Sequence, residues 1–285
     1  MESIIFKHKY KALLSKQDEF PIFLASDIHF DEKGFNRELF TKDFDRAKRG
    51  GARILINGDV FGCILPGDLK RYTRGNDNGG GDGVINEAIE EAERLFSPYV
   101  NQIDMVGLGN HEVSVLKFHH VDIIRLLIFA LNRRRDPALP PIRHGGYTGY
   151  IRYQFDGPSR SHIKHFDIFY NHGQGGSAEI TDGIIDAKRR LYTRADIIWL
   201  GHKHKRWVID IDPEEGMADN GRIYTRKRWA VMTGCYSNPT AETDATENGY
   251  TINYGEERMR TKQRTGGIHG RMLIGRNGVD AEFTV

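Results

Sequence analysis

Seven residues of metal-binding type each lie just behind a short apolar run. Asp27 and His29 follow Ile22-Phe-Leu-Ala25, and Asp59 follows Ile54-Leu-Ile56. Asn110, with His111 next to it, follows Ile103 to Leu108; His172 follows Ile163 to Tyr170; His202 and His204 follow Ile197 to Leu200. Runs of this kind predict strands buried on both faces. Ligand sites in parallel α/β sheets form outside the carboxyl ends of the strands. A single Asp-x-His or Gly-Asp is as readily turn chemistry, and a lone histidine is more often a hydrogen-bonded core residue. Five such motifs behind five strands point to one shared centre. Residues two apart at a strand end face the same side, so His202 and His204 are expected to reach one centre or two adjacent ones.

The donor types decide the chemistry. Two Asp, one Asn and four His form an oxygen–nitrogen set without thiolate. This set suits first-row divalent ions, Mn first and also Fe, Zn, Co or Ni, rather than an iron–sulfur cluster or a Cys-rich zinc site. Seven donors exceed what one ion takes, and they suffice for two ions if one carboxylate bridges. Two ions roughly 3.5–4 Å apart can hold the attacking and a non-bridging oxygen of a phosphate during in-line displacement.

The elements that must carry these residues follow from periodicity. Residues 4–14 predict an edge strand or extended lead-in. Asn36 is placed to cap a helix over Leu39 to Ala47. Ile85, Ala88, Ile89, Ala92, Leu95, Phe96 and Tyr99 predict a second helix, weakened at Pro98. One largely apolar helix is expected from about Val113 to Asn132, and another over 177–193. Tyr150 to Phe155 and Ile163 to Tyr170 predict strands of a second sheet. Trp207 to Ile211, Ile223 to Gly234, Arg271 to Ile274 and Ala281 to Val285 predict antiparallel strands. Residues 239–267 carry no usable pattern, and neither repeat nor linker interrupts the chain, so one domain over 1–285 is expected.

Between Val60 and Gly83 the glycine-rich run predicts a flap over the site. Lys70, Arg71 and Arg74 there are placed to clamp a substrate phosphate, and Tyr72 to stack a base; a solvated surface loop is the competing reading. Arg133-Arg134-Arg135 reads as a partner of a helix dipole. Lys188-Arg189-Arg190 reads as a solvated helix face. With 41 Lys and Arg against 39 Asp and Glu, the net charge of +2 exerts no bulk pull on nucleic acid. Two cysteines argue against a disulfide scaffold and for a reducing compartment. No apolar run is long enough to span a bilayer, and the N-terminus lacks a signal-peptide core. The expectation is a soluble, cytoplasmic protein with no membrane partner.

Asp27-x-His29, Gly58-Asp59, Gly109-Asn-His-Glu112, His172-Gly173 and Gly201-His-x-His204, in this order, resemble the calcineurin-like metallophosphoesterase superfamily. The resemblance implies a four-layer α/β/β/α sandwich of two mixed sheets and a dinuclear phosphoesterase. Carried onto matching positions, it implies that Asp27, His29, Asp59 and His204 hold one cation. Asp59 bridges to a second, completed by Asn110, His172 and His202. His111 is then the general acid, with a metal-bridging hydroxide as nucleophile. The implied substrate is a phosphate ester: a diester such as nucleic acid or a nucleotide first, with a monoester of a protein or metabolite as the alternative. A scaffold without catalysis is a third reading, which the intact donor set disfavours. One position departs from the family pattern. Gly62 stands where many members carry an Asp that supports the catalytic histidine, so that support must come from elsewhere, with Glu112 and Asp68 as candidates. The same departure weighs against the protein Ser/Thr phosphatase branch.

Overall fold

The computed structural model describes residues 1–9, 18–32, 34–62, 84–157, 163–175, 183–217, 221–237, 265–275 and 278–284. Its twelve described strands form two six-stranded mixed sheets. The first contains β2 (Asp18–Ala25), β3 (Arg53–Ile56), β4 (Ile103–Val106), β5 (Arg143–His144), β11 (Ile268–Gly275) and β12 (Gly278–Thr284). Its order is β12-β11-β2-β3-β4-β5, and β2 to β5 run parallel. The second contains β1 (Glu2–Lys9), β6 (Thr148–Asp156), β7 (Lys164–Asn171), β8 (Ile197–Leu200), β9 (Trp207–Met217) and β10 (Ile223–Met232). Its order is β1-β6-β7-β8-β10-β9, with β7, β8 and β10 parallel.

Side-chain alternation divides the core. On β2, Ile22 and Leu24 face the second sheet, together with Leu55, Met105, Ile168, Trp199 and Val231. Phe23 and Ala25, on the other face, pack with Phe40 and Phe44 of α1 (Arg37–Arg49), with Ala92 and Phe96 of α2 (Val84–Phe96), and with Leu127 and Leu131 of α4 (Ile123–Asn132). A period of two on the strands therefore feeds two cores, one between the sheets and one beneath the helices. On the far face of the second sheet, Ala187 of the short α5 (Ile184–Lys188) packs on Leu200, Ala230 and Met232. The expected α/β/β/α layering is what this packing produces.

Several local expectations hold. Asn36 caps α1, its side chain accepting from the Leu39 N–H at 3.0 Å. The chain passes into a 3-10 turn at Ser97–Tyr99, where Pro98 cannot continue the α-helical ladder. Others need correction. The single helix expected over 113–132 is two, α3 (Asn110–His119) and α4. His120 takes a left-handed conformation (φ 57°) that ends α3, and the Asp122 side chain caps α4 by accepting from the Arg125 N–H at 2.9 Å. Arg135, expected to complement a helix dipole, is instead buried, donates to the carbonyls of Val100 and Ile103, and pairs with Asp104 at 3.4 Å. Of the helix expected over 177–193, the described part is only α5. The flap residues Lys70, Arg71, Tyr72 and Arg74 and most of 239–267 lie outside the described residues. Val60 and Phe61, which open the stretch expected to be a flap, are fully buried. Among the described residues no helix is long and apolar enough to cross a membrane.

The cap makes α4 separable from α3. Asp122→Ala is expected to destabilise the fold by about 1 kcal/mol, read as a lower urea midpoint at unchanged m-value; no shift would show that packing alone fixes the break.

Candidate metal centre

All five motif-bearing strands end on the same side of the sandwich, and three sets of donors converge there. They are Asp27, His29 and His204; His29, Asp59 and His111; and Asp59, His172 and His202, each with its donor atoms within 4.8 Å of one another. Asp59 Oδ2 lies 3.0 Å from His172 Nε2 and 3.9 Å from His29 Nε2, so one carboxylate faces both neighbouring sets. Asp27 Oδ1 lies 3.4 Å from His204 Nε2 and 3.9 Å from His172 Nε2. Asn110 opens α3, one residue before His111, whose backbone N–H donates to Asp59 Oδ1 at 3.0 Å.

The chain does not run on as strand through these residues. Asp27, His29, Asp59, His202 and His204 all have positive φ, between 47° and 69°, and His120 is the sole other non-glycine residue of that kind among those described. His202 and His204 thus turn towards different partners by left-handed backbone rather than by the strand alternation expected from their spacing. His204 reaches Asp27, and His202 joins Asp59 and His172. Each such residue costs on the order of 1 kcal/mol, and strain of this kind gathers at functional sites.

Main-chain carbonyls orient the rings. His172 Nδ1 lies 2.6 Å from the Asn57 carbonyl, His111 Nδ1 2.5 Å from that of Gly62, and His202 Nε2 3.0 Å from that of Gly175. A carbonyl only accepts, so each ring donates there and turns its other nitrogen elsewhere; histidine ligands of metals are commonly held in this way. His29 is buried, and neither ring nitrogen has a hydrogen-bond partner. Its Nδ1 lies 3.3 Å from Glu32 Oε1, which leaves Nε2 aimed at Asp59 with nothing between them. An orphaned buried nitrogen beside two buried carboxylates is what a cation would satisfy, and the donor set fits divalent ions.

The charges agree with this geometry. Burial pulls Asp27 upward, but the His204 hydrogen bond and the His172 and His204 charges hold it below the ordinary carboxylate value. Burial opposes ionisation of Asp59 as well, yet His172 and His111 keep it well below that value. Burial would lower His172, and Asp59 and Asp27 instead raise it to about 9.

Residues that the motif reading missed hold this arrangement together. Trp199 Nε1 donates to Thr233 Oγ1 at 3.1 Å; Thr233 Oγ1 and Ser26 Oγ are 2.6 Å apart; Ser26 Oγ donates to Asp27 Oδ2 in a short bond. An indole can only donate and a carboxylate can only accept, so this buried chain has one direction and ends on Asp27. The His202 N–H adds bonds of 3.1 and 3.0 Å to the two Asp27 oxygens. Thr233 and Cys235 follow β10, a sixth strand ending at the centre, where Cys235 Sγ donates to the Ser237 carbonyl at 3.4 Å. A Ser before an Asp, or a Thr after a strand, carries no signal of its own in one sequence.

Glu112 does not orient His111, contrary to one expectation; the Gly62 carbonyl does, and Asp68, the other candidate, lies outside the described residues. Glu112 instead ties the loops after β3 and β4 together. Its Oε2 accepts from the N–H groups of Asp59 at 3.0 Å and Gly109 at 2.7 Å, and its Oε1 from that of Phe61 at 3.0 Å. Burial and the Asp59 charge push its carboxyl up to about 7, while the Phe61 and Gly109 N–H groups pull it back down. The motif glycines allow the contact: a Cβ on Gly109 would overlap the Asp59 carboxylate, and one on Gly201 would lie 2.7 Å from Ser26 Oγ. Glu112→Gln sets an amide N–H against one of the three donors. It is expected to cost about 1–3 kcal/mol, measured by urea denaturation in EDTA; a cost near zero would mean the loops are held without Glu112.

No protein-family model matches the chain, and none of the curated proteins matches it. Several solved structures are similar at low identity. A conserved uncharacterized protein from Streptococcus pneumoniae TIGR4, described as a predicted phosphoesterase, is 12% identical, with 94% of this chain and 99% of that one covered and a TM-score of 0.31. GAP50 of Plasmodium, described as the anchor in the inner membrane complex, is 11% identical over 93% and 84%, with a TM-score of 0.45. A metallophosphoesterase from Sphaerobacter thermophilus is 14% identical over 93% and 89%, with a TM-score of 0.30. At these levels the likenesses say nothing of what this chain acts on. The chain's five strand-end motifs, whose order resembles that of the calcineurin-like metallophosphoesterase superfamily, converge on one centre of a two-sheet α/β sandwich.

Proposed function

We propose that this chain is a metal-dependent phosphoesterase with two divalent cations, manganese first among them. Asp27, His29, Asp59 and His204 would hold one, and Asp59, Asn110, His172 and His202 the other. The observation that most supports this is the position of Asp59 Oδ2, between the His29 and His172 rings. When bound, a cation pair lowers the pKa of water and neutralises charge on phosphoryl oxygens. The rest falls to the protein. The buried carboxylates would fix where the cations sit, and the left-handed loops hold the rings in place before substrate arrives.

His111 is the group proposed to give a proton to the leaving oxygen. Its ring centroid lies 4.7 Å from that of His29, edge to face, and its Nδ1 is committed to Gly62, which leaves Nε2 for the substrate. Such an acid is worth about 10²–10⁴-fold. Phosphodiesters, as nucleotides or nucleic acid, are the substrate class proposed, on the basic and aromatic residues Lys70, Arg71, Tyr72 and Arg74.

Asp59→Asn is expected to lose metal and activity together, measured by elemental analysis and by turnover of bis-p-nitrophenyl phosphate. His111→Asn should keep its metal and lose about 10²-fold or more in rate with poor leaving groups; an unchanged rate there would remove it as the acid. Thr233→Val cuts the hydrogen-bond chain to Asp27 while keeping its shape, and metal affinity, titrated calorimetrically, should fall about 10–100-fold. Activity on p-nitrophenyl phosphate but not on the diester would favour the monoesterase alternative. Neither metal uptake nor hydrolysis would leave only a scaffold.

A further inference from the structure

Beside the centre, where β7 and β8 end, lies a cavity of about 130 Å³. It is lined by the bare backbone of Gly173 and Gly201, which flank His172 and His202, and by Lys203, Arg189 and Arg190. Lys203 stands between the two histidines in sequence, and its side chain is only 8% exposed. Its Nζ donates to the Gly175 carbonyl at 3.1 Å, the same oxygen that lies 3.0 Å from His202 Nε2. One buried ammonium and one ring of the Asp59–His172–His202 set therefore meet at a single atom. Among the described residues, one carboxylate faces these cations within the cavity: Asp186, 3.7 Å from Lys203 Nζ and 3.9 Å from an Arg189 nitrogen.

We propose that this cavity is a subsite for a second phosphate of the substrate, the neighbour of the phosphate at the metal centre. The proposal rests on the phosphoesterase reading and narrows it to substrates carrying two phosphates in sequence, as nucleic-acid strands do. Among the described lining residues, three cations against one carboxylate leave a net positive charge. Two of them are guanidinium groups, which match phosphate oxygens in pairs, and the third is a largely desolvated point charge. Leu200 and Met232 give the cavity an apolar wall, against which the buried Lys203 charge acts more strongly than in open water, while the Arg189 side chain stands at the exposed rim. Arg189 and Arg190 follow α5 rather than lying along a solvated helix face, so the basic run expected to be idle has a place in the site.

The test compares the dinucleotide thymidylyl-thymidine with the same diester carrying an added terminal phosphate, 5′ or 3′, using the metal-loaded full chain. One of the phosphorylated forms should show kcat/KM about tenfold higher, the order expected for one charge-assisted anion contact. In Arg189→Ser/Arg190→Ser that ratio should fall towards one, and in Asp186→Asn, which removes the opposing carboxylate, it should rise. Because each ratio is taken within one variant, changes in folding or metal content cancel. A wild-type ratio of one for both forms, or a ratio that survives in the double variant, overturns the subsite. If no diester is cleaved, the phosphoesterase reading fails separately. The subsite is then decided by calorimetric binding of inorganic pyrophosphate to the metal-free protein: about tenfold weaker binding in the double variant upholds it, and equal binding overturns it.

Discussion

Asp27 and Asp59 are two negative charges buried at the ends of neighbouring parallel strands, and the surrounding structure answers the need to keep both ionised. An isolated buried carboxylate would take up a proton rather than stay charged. Here the answer is distributed. Asp27 receives Ser26, the His202 N–H and the His204 ring. Asp59 receives the His111 N–H at the start of α3, where the partial positive charge of a helix N-terminus is available, and the His172 ring. These donors satisfy part of each carboxylate and leave an oxygen of each turned to the histidines. A site so arranged selects for cations by being incomplete without positive charge.

The cost is carried by the backbone. Five left-handed residues would destabilise a short segment on their own, and they persist because each loop is bonded to the next. The Asp27 N–H donates to the Gly58 carbonyl, the Ile28 N–H to that of Asp59, and the Tyr236 N–H to that of Asp27. Glu112 adds three more bonds from beneath. Beneath these loops lies an aromatic cluster of Phe23, Phe40, Phe44, Phe96 and Tyr236, with ring centroids about 4 to 6 Å apart, which gives the strand ends a stiff support. Large buried area and close-packed rings are what allow the strain to be held in place rather than relaxed.

What the sequence made legible was what strands and metals demand of residue type: Ile22 to Ala25, Ile54 to Ile56 and Ile197 to Leu200 as buried strands, and Asp27, His29, Asp59, His172, His202 and His204 as a converging set. Less legible was anything set by partners remote in the chain. Nothing local marks Ser26 and Thr233, 207 positions apart, as one hydrogen-bond chain. The break at His120 was present as Asp122 three residues before Arg125, but the apolar run on either side masked it. Arg135 read as a helix-dipole partner because its run is basic and follows a helix, whereas its guanidinium is spent on Val100, Ile103 and Asp104. The separate turning of His202 and His204 came from φ, which side-chain spacing does not report.

The replacement of an acidic residue by Gly62 draws these threads together. The family pattern places a carboxylate behind the catalytic histidine, and its loss suggested that another acid must stand in. The chain uses its own carbonyl at that position. A carbonyl fixes the same tautomer, because it too can only accept from Nδ1. It brings no net charge, and in a centre that already buries Asp27 and Asp59 a further carboxylate would make it harder to keep those two ionised. Room for it is also limited: a Cβ at position 62 would fall 2.5 Å from the Glu32 side chain, whose carboxylate faces His29. With the Gly62 carbonyl accepting from Nδ1, the main chain takes up a duty that elsewhere falls to a side chain, and the orientation of His111 does not need the acid.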